Sequence, residues 1–370
     1  MPCYHENRGE GQNVTHNILS MQLLRSTAYF LIWLLVGCTA SPLPPTPTPP
    51  SVILRILNRA TYIDQRLLEQ FTAETNITID YHTYNSSEEA YRLLTNSSQP
   101  FDLIVVSDVL VEQLRREELL AVLDQQQLSY LSHLDPVYRR TYIDPAYRFC
   151  VPYLWRVAGF GYKLTKTGRP ITSWDDVFDP HYNDRLTLLD DARSTLGMVL
   201  IKLGYSPNTS DPAAIGAARD WLRERAERIT GFTADNGQDL LAHASTDIVV
   251  EWSGDILQRA ATDPDIQFEI PAEGSLLATD SMCIPIDARH RSAAEQFMNF
   301  ILKPENSAML AKTTYSSTPN RTAWSLLDPE LRTLMQEYQS LENEGRLFRL
   351  VDVPPSVCEL YRGAWREVQQ

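Results

Sequence analysis

Residues 185–212, RLTLLDDARSTLGMVLIKLGYSPNTSDP, constrain the fold more than any other stretch of the chain. Leu186 to Leu189 is an apolar run with the length of a buried strand. Two carboxylates, Asp190 and Asp191, follow at once. Ala192 to Leu203 then carries Leu196, Val199, Leu200 and Leu203 on one stripe, the pattern of an amphipathic helix, and Gly204 marks its stop. A buried strand that feeds directly into a helix is the unit of an α/β sheet. In open sheets of that kind, ligands sit beyond the carboxyl ends of the strands, near helix N-termini. Asp191 is thereby placed at the mouth of a crevice. An Asp in this position also caps a helix by accepting backbone N–H bonds, and this stretch taken alone leaves both roles open.

The same rhythm runs through the N-terminal half of the body. Val52–Leu57 reads as a strand, Gln65–Glu74 as a helix with Leu67, Leu68 and Phe71 inward, and Ile77–Tyr81 as an alternating strand. Ser87–Thr95 reads as a helix and Asp102–Val106 as a buried strand. A βαβαβ order implies a parallel sheet with helices on its faces. A second α/β set begins near Gly159 and takes in Leu186–Leu189 and Asp247–Glu251; Ser173 and Asp176 form a helix-start pair, and Ala293–Leu302 is helical. A chain of 370 residues is long enough for about two such bodies.

Residues 21–38, MQLLRSTAYFLIWLLVGC, combine Arg25 with the short apolar core Tyr29–Val36. The core is too short for a span and reads as a secretory signal, with Met21 a candidate start. It ends in Leu35-Val36-Gly37-Cys38, which resembles a bacterial lipobox and makes Cys38 the expected lipidation site. SPLPPTPTPP at 41–50 is dense in proline, so 39–51 reads as a semi-rigid tether between a membrane-held lipid and the body. The net charge of −14, with no Lys/Arg run, argues against a nucleic-acid partner.

The seven His are scattered, without metal-ligand spacing, and no nucleophile elbow, phosphate loop or dinucleotide fingerprint is present. Asp190 and Asp191, if the strand continues, point to opposite faces, poor geometry for a shared acid–base pair. No metal, cofactor or catalytic residue is expected.

DDAR (190–193) and LGYSPNTSDP (203–212) resemble the polyamine-binding proteins of bacterial ABC importers, the spermidine/putrescine receptors. LLEQFTAET (67–75), FDLIVVS (101–107), VPYLW (151–155), ITSWDDVFDP (171–180), DSMCIP (280–285) and MNFILKP (298–304) follow the same family in the same order, so that the resemblance spans roughly 52–365. It implies a two-lobed periplasmic-binding-protein fold of type II: lobe 1 from 52–158 and 282–325, lobe 2 from 159–281 and 326–370, with the ligand between them. The crossings, and so the hinge, are expected near Phe149–Pro152 and Met282–Pro285. Cys150 and Cys283 then fall on neighbouring strands; a disulfide is open to them in an oxidising compartment, but two small buried thiols are the favoured reading, with Cys358 unpaired. The implied function is capture of putrescine or spermidine outside the cytoplasm, in the periplasm or at the cell surface, and delivery to a permease. No covalent chemistry is involved.

The resemblance also assigns a site. Asp191 matches a carboxylate that holds a terminal amine, and Asp280 one beside the middle of the ligand. Trp252 matches an aromatic wall, Tyr62 a tyrosine of the first loop, and Ser107 a serine after the third strand. Ammonium groups need such carboxylates, because a buried unpaired charge is costly, and they gain from aromatic faces. Glu251 and Asp255, which flank Trp252, are expected to be surface or salt-bridge residues. Departures from the family are pronounced. Arg59 stands for a tryptophan, Val109 for a tyrosine, Ser194 for a carboxylate, Ala278 for a tryptophan, and Ser316 (beside Tyr315) for a tyrosine. A guanidinium about 4 Å from a bound ammonium costs roughly 4 kcal/mol at an effective dielectric near 20, so Arg59 must be paired, turn away, or serve another ligand. The alternatives are therefore another amine-bearing or zwitterionic solute on the same scaffold, with Arg59 and Ser194 meeting its anionic part, a lipid-tethered sensor, and a hydrolase on a similar fold.

Overall fold

The computed structural model describes residues 52–137, 143–182, 185–234 and 236–370. The signal segment, Cys38 and the 39–51 tether lie outside them.

Ten strands form one continuous sheet system among the described residues. They are β1 (Ile53–Arg59), β2 (Thr78–Tyr84), β3 (Leu103–Ser107), β4 (Cys150–Lys163), β5 (Leu186–Leu189), β6 (Ile229–Thr233), β7 (Ile248–Trp252), β8 (Ile266–Glu269), β9 (Ser275–Cys283) and β10 (Leu347–Arg349). Their order is β2-β1-β3-β9-β4-β7-β5-β6, with β10 beside β9 and β8 beside β4. β1 pairs in parallel with β2 and β3, and β5 in parallel with β6 and β7, as the strand–helix alternation requires. β9 and β4 run antiparallel to each other and to β3 and β7, and join the two halves.

Two apolar cores flank this seam. The first gathers Leu54, Phe71, Val105, Leu154, Met282 and Phe297; the second gathers Phe160, Trp174, Leu188, Leu200, Val250 and Tyr361. The chain passes from one to the other within β4, between Val157 and Ala158, and back within β9, between Leu276 and Leu277. Within 326–370, Tyr338 and Leu341 of the Pro329–Asn343 helix join the first core, whereas Val357, Cys358 and Trp365 of the Pro355–Val368 helix join the second.

The local signals act as expected at most element ends. Asp64 caps the Gln65–Thr75 helix through the Arg66 N–H, and the helix stops on Asn76 at φ 58°, a left-handed conformation that Asn tolerates. Ser173 accepts from the Asp176 N–H. The Ala192–Lys202 helix differs from its expected amphipathic stripe, since it is buried all round from Arg193 to Ile201. It packs on β9 and under the Pro212–Arg223 and Pro355–Val368 helices, which cover the side a surface helix leaves open.

The cysteines also depart from the favoured reading. The antiparallel register sets Cys150 opposite Cys283 with Cα atoms 4.4 Å apart, and the two are joined in a disulfide. That spacing is at the short end of the range that a disulfide spans. Cys358 is disulfide-bonded too, not an unpaired thiol.

Candidate functional site

A cleft opens where the two halves face each other across the β4–β9 seam. From the first half it is lined by Arg59 at the end of β1, by Ser86 and Ser87 at the start of the Ser87–Asn96 helix, and by Ser107, Asp108 and Val109 at the start of the Asp108–Arg116 helix. From the second come Asp190, Asp191 and Ser194 at the start of the Ala192–Lys202 helix, and Trp252 at the end of β7. Arg156 on β4 and Ala278 on β9 form its floor. Strand ends and helix N-termini thus converge from both halves, the geometry the opening stretch implied.

Asp191 has both of its alternative roles. Its Oδ1 accepts from the Ser194 N–H at 2.7 Å, capping the helix, and the residue lines the cleft. Asp190 is committed elsewhere: its Oδ1 accepts from Trp365 Nε1 at 2.9 Å and Gln369 Nε2 at 2.7 Å. Asp191→Asn keeps a side-chain oxygen for the cap, so its thermal midpoint should stay near wild type, whereas Asp191→Ala should lose about 1 kcal/mol. A large midpoint drop for the Asn variant would show that the charge, not the cap, is structural.

Asp280, Trp252 and Tyr62 do come together, but around a cation of the chain itself. Arg156 is fully buried, and its Nε donates to Asp280 Oδ2 at 3.0 Å. Its guanidinium carbon lies 4.2 Å from the Trp252 ring centroid and 4.9 Å from that of Tyr62. Burial pushes the Arg156 pKa down, but Asp280 and its neighbours outweigh burial and hold it above the usual value. Asp280 and Tyr62 do not line the cleft; they lie behind this guanidinium. Ser107 faces the cleft, opposite Asp280 in the β3–β9 register, and Ser194 lines it as well.

Arg59 turns toward the site. It is buried, lines the cleft, and stacks 5.1 Å from the Tyr84 ring centroid. Glu251 and Asp255, expected as surface or salt-bridge residues, are buried: Glu251 accepts from the Trp252 N–H, and Asp255 accepts from Thr61 Oγ1 at 2.8 Å, a bond that bridges the two halves. Burial first, and their mutual repulsion in the case of Glu251, raise both carboxyls. Val109 and Ala278 line the cleft, so the missing aromatics leave small residues on its walls; Ser316 is buried outside the lining.

Arg156 and Asp108 were not anticipated. A lone Arg inside the apolar run VPYLWRVAGF was the available signal, since a cation at a buried strand position needs a carboxylate. Asp108 opens the Asp108–Arg116 helix and is buried. Its Oδ2 accepts from the Thr279 N–H at 3.3 Å and lies 3.8 Å from Arg349 Nη1, while its Oδ1 has no hydrogen-bond partner. Burial above all pushes its carboxyl up to about 7. The raised value means that the folded protein holds this proton after the unfolded chain has released it. This residue therefore contributes less stability as pH climbs from about 4 to about 7.

Two strand-linked α/β halves thus enclose a cleft lined from both sides, an architecture that can close over a small solute. The family profile of bacterial extracellular solute-binding proteins matches residues 66–335. The spermidine/putrescine-binding periplasmic protein of Escherichia coli (strain K12) is 33% identical over 315 residues, 83% of this chain and 90% of that protein. A putative spermidine/putrescine ABC transporter structure from Listeria monocytogenes superposes with a TM-score of 0.80 at 30% identity, covering 86% of this chain and 99% of that one. A spermidine/putrescine ABC transporter substrate-binding protein from Streptococcus pneumoniae gives 0.75 at 29%, covering 86% and 100%. The chain belongs to the spermidine/putrescine-binding protein family of ABC transporters. It is a periplasmic or extracellular substrate-binding protein, not an enzyme.

Proposed function

We propose that this protein captures a small aliphatic amine of the polyamine class between its lobes and delivers it to an ABC permease, held at the membrane by a lipid on Cys38. The observation that carries the reading is the pair of cleft-lining carboxylates at helix starts, Asp108 and Asp191, one from each half. An ammonium between them is contacted by both lobes, and differential contact of this kind favours the closed state. The lobes that move are the bodies around the two cores, and β4 and β9 are the strands that flex. The relatives named for spermidine and putrescine supply the ligand class.

A thermal-shift panel of diamines, triamines and monoamines tests the reading. A ligand at one hundred times its Kd adds about 2.7 kcal/mol of stability, and Asp191→Asn should remove most of that shift. A panel in which no amine raises the midpoint would end the proposal. Binding should also carry a pH signature. An ammonium favours ionised Asp108, whose carboxyl sits at about 7, so affinity should rise by up to about tenfold between pH 6 and 8. Calorimetry in buffers of different ionisation enthalpy should register proton release near pH 7, and Asp108→Asn should abolish it. For the anchor, Cys38→Ser should move the protein from the membrane fraction to the soluble one.

A further inference from the structure

Resting on the amine-receptor reading above, we infer that the cleft selects an asymmetric amine, with one ammonium at one end and an uncharged or anionic hydrogen-bond acceptor at the other, such as an ω-amino acid or an N-acylated diamine. A second ammonium reaching the floor would meet cations that the chain has already placed there. Arg156 pairs with Asp280 and covers the face of Trp252, so the carboxylate and the aromatic wall that would receive a ligand cation both serve a guanidinium. Arg59 sets a second guanidinium on the cleft lining. Asp280 and Asp255 are buried carboxylates that act on both guanidiniums, so the floor approaches charge balance before any solute arrives. A second ammonium there would face two like charges.

The hydrogen-bond inventory points the same way. Arg156 Nη1 is buried on the floor with no acceptor, and Asp108 Oδ1 is buried on the wall with no donor. Buried polar atoms without partners are rare in folded proteins because each forfeits its hydration. A solute that offers an acceptor to the first and an ammonium to the second completes both. Asp280 Oδ1 and Asp255 Oδ2 also lack donors, but neither residue lines the cleft, so a solute within it does not reach them. A carboxylate on the solute would engage Arg156 with charge assistance, and an amide carbonyl would engage it without.

Calorimetry on the folded full-length chain with putrescine, spermidine, 4-aminobutyrate and N-acetylputrescine tests this. The expected result is that 4-aminobutyrate or N-acetylputrescine binds at least tenfold more tightly than putrescine, and the order of those two tells whether the acceptor is anionic or neutral. Arg156→Ala, which uncovers Asp280 and Trp252, should reverse the preference toward putrescine. Should that variant fail to fold, Arg59→Gln should narrow the preference at least threefold in the same direction. Putrescine or spermidine binding as tightly as both mono-ammonium ligands, or a preference unmoved in the folded variant, would overturn the inference and leave the amine receptor standing. Silence from all four ligands would overturn the amine-receptor reading itself.

Discussion

Asp280→Asn should lose about 3–5 kcal/mol of stability in urea denaturation, the cost of stranding a buried charge. The reason is Arg156. Its side chain and that of Asp280 are each about 1% exposed, and the 3.0 Å contact is the only salt bridge that Arg156 makes among the described residues. Arginine does not lose its proton at any working pH, so deleting the carboxylate leaves a guanidinium in the middle of the sheet without its salt-bridge partner, with two ring faces and the field of Asp255 as its remaining support. Arg156→Met should cost less than the Asn change, and Asp280→Asn combined with Arg156→Met should recover most of the loss, because a buried pair replaced by well-packed neutral groups is often nearly neutral. The double-mutant cycle then reports a coupling energy well outside experimental error. A loss below about 1 kcal/mol for Asp280→Asn would mean that the pair does not hold the floor together.

Breaking the Cys150–Cys283 bond should have an effect of similar size. The bond closes a loop of 133 residues that contains most of the second core. In the chain-entropy account, opening a loop of that length costs roughly 5 kcal/mol, and measured losses run about 2–5 kcal/mol. Cys150→Ala with Cys283→Ala, or oxidised against reduced wild type, should therefore show a drop in the denaturation midpoint. The bond ties β4 to β9 within the first half's sheet, some seven residues from the point where the cores change over. Its removal should thus weaken the fold far more than it changes ligand affinity. Equal midpoints for the oxidised and reduced protein would contradict this.

The strand at Leu186–Leu189 was legible to the residue, and so was Asp191 as the hinge point between cap and cleft. Both depend on neighbours within one turn of chain, where periodicity and capping chemistry act. The N-terminal βαβαβ run was legible for the same reason, with ends displaced by one to three residues. What failed involved partners far away in sequence. The Ala192–Lys202 helix lost its exposed face to segments as distant as Pro355–Val368. Glu251 was turned away from Trp252 by strand alternation, but the Gly237–Ala242 helix packs on β7 and its Gly237 N–H donates to Glu251, so the residue is buried. Cys150 and Cys283 depended on a register 133 residues apart.

The amino-acid order alone determined the α/β class, the two-part organisation, the placement of carboxylates at helix starts and the family to which the chain belongs, because these rest on local pattern and on ordered motifs. Only the tertiary structure decided what those carboxylates face. Whether Asp280 awaits a solute or is already satisfied by Arg156 depends on how β4 and β9 lie against each other, and that alignment brings residues 124 positions apart within 3.0 Å. Charge balance in a buried site is a property of distances in space, which sequence spacing does not encode.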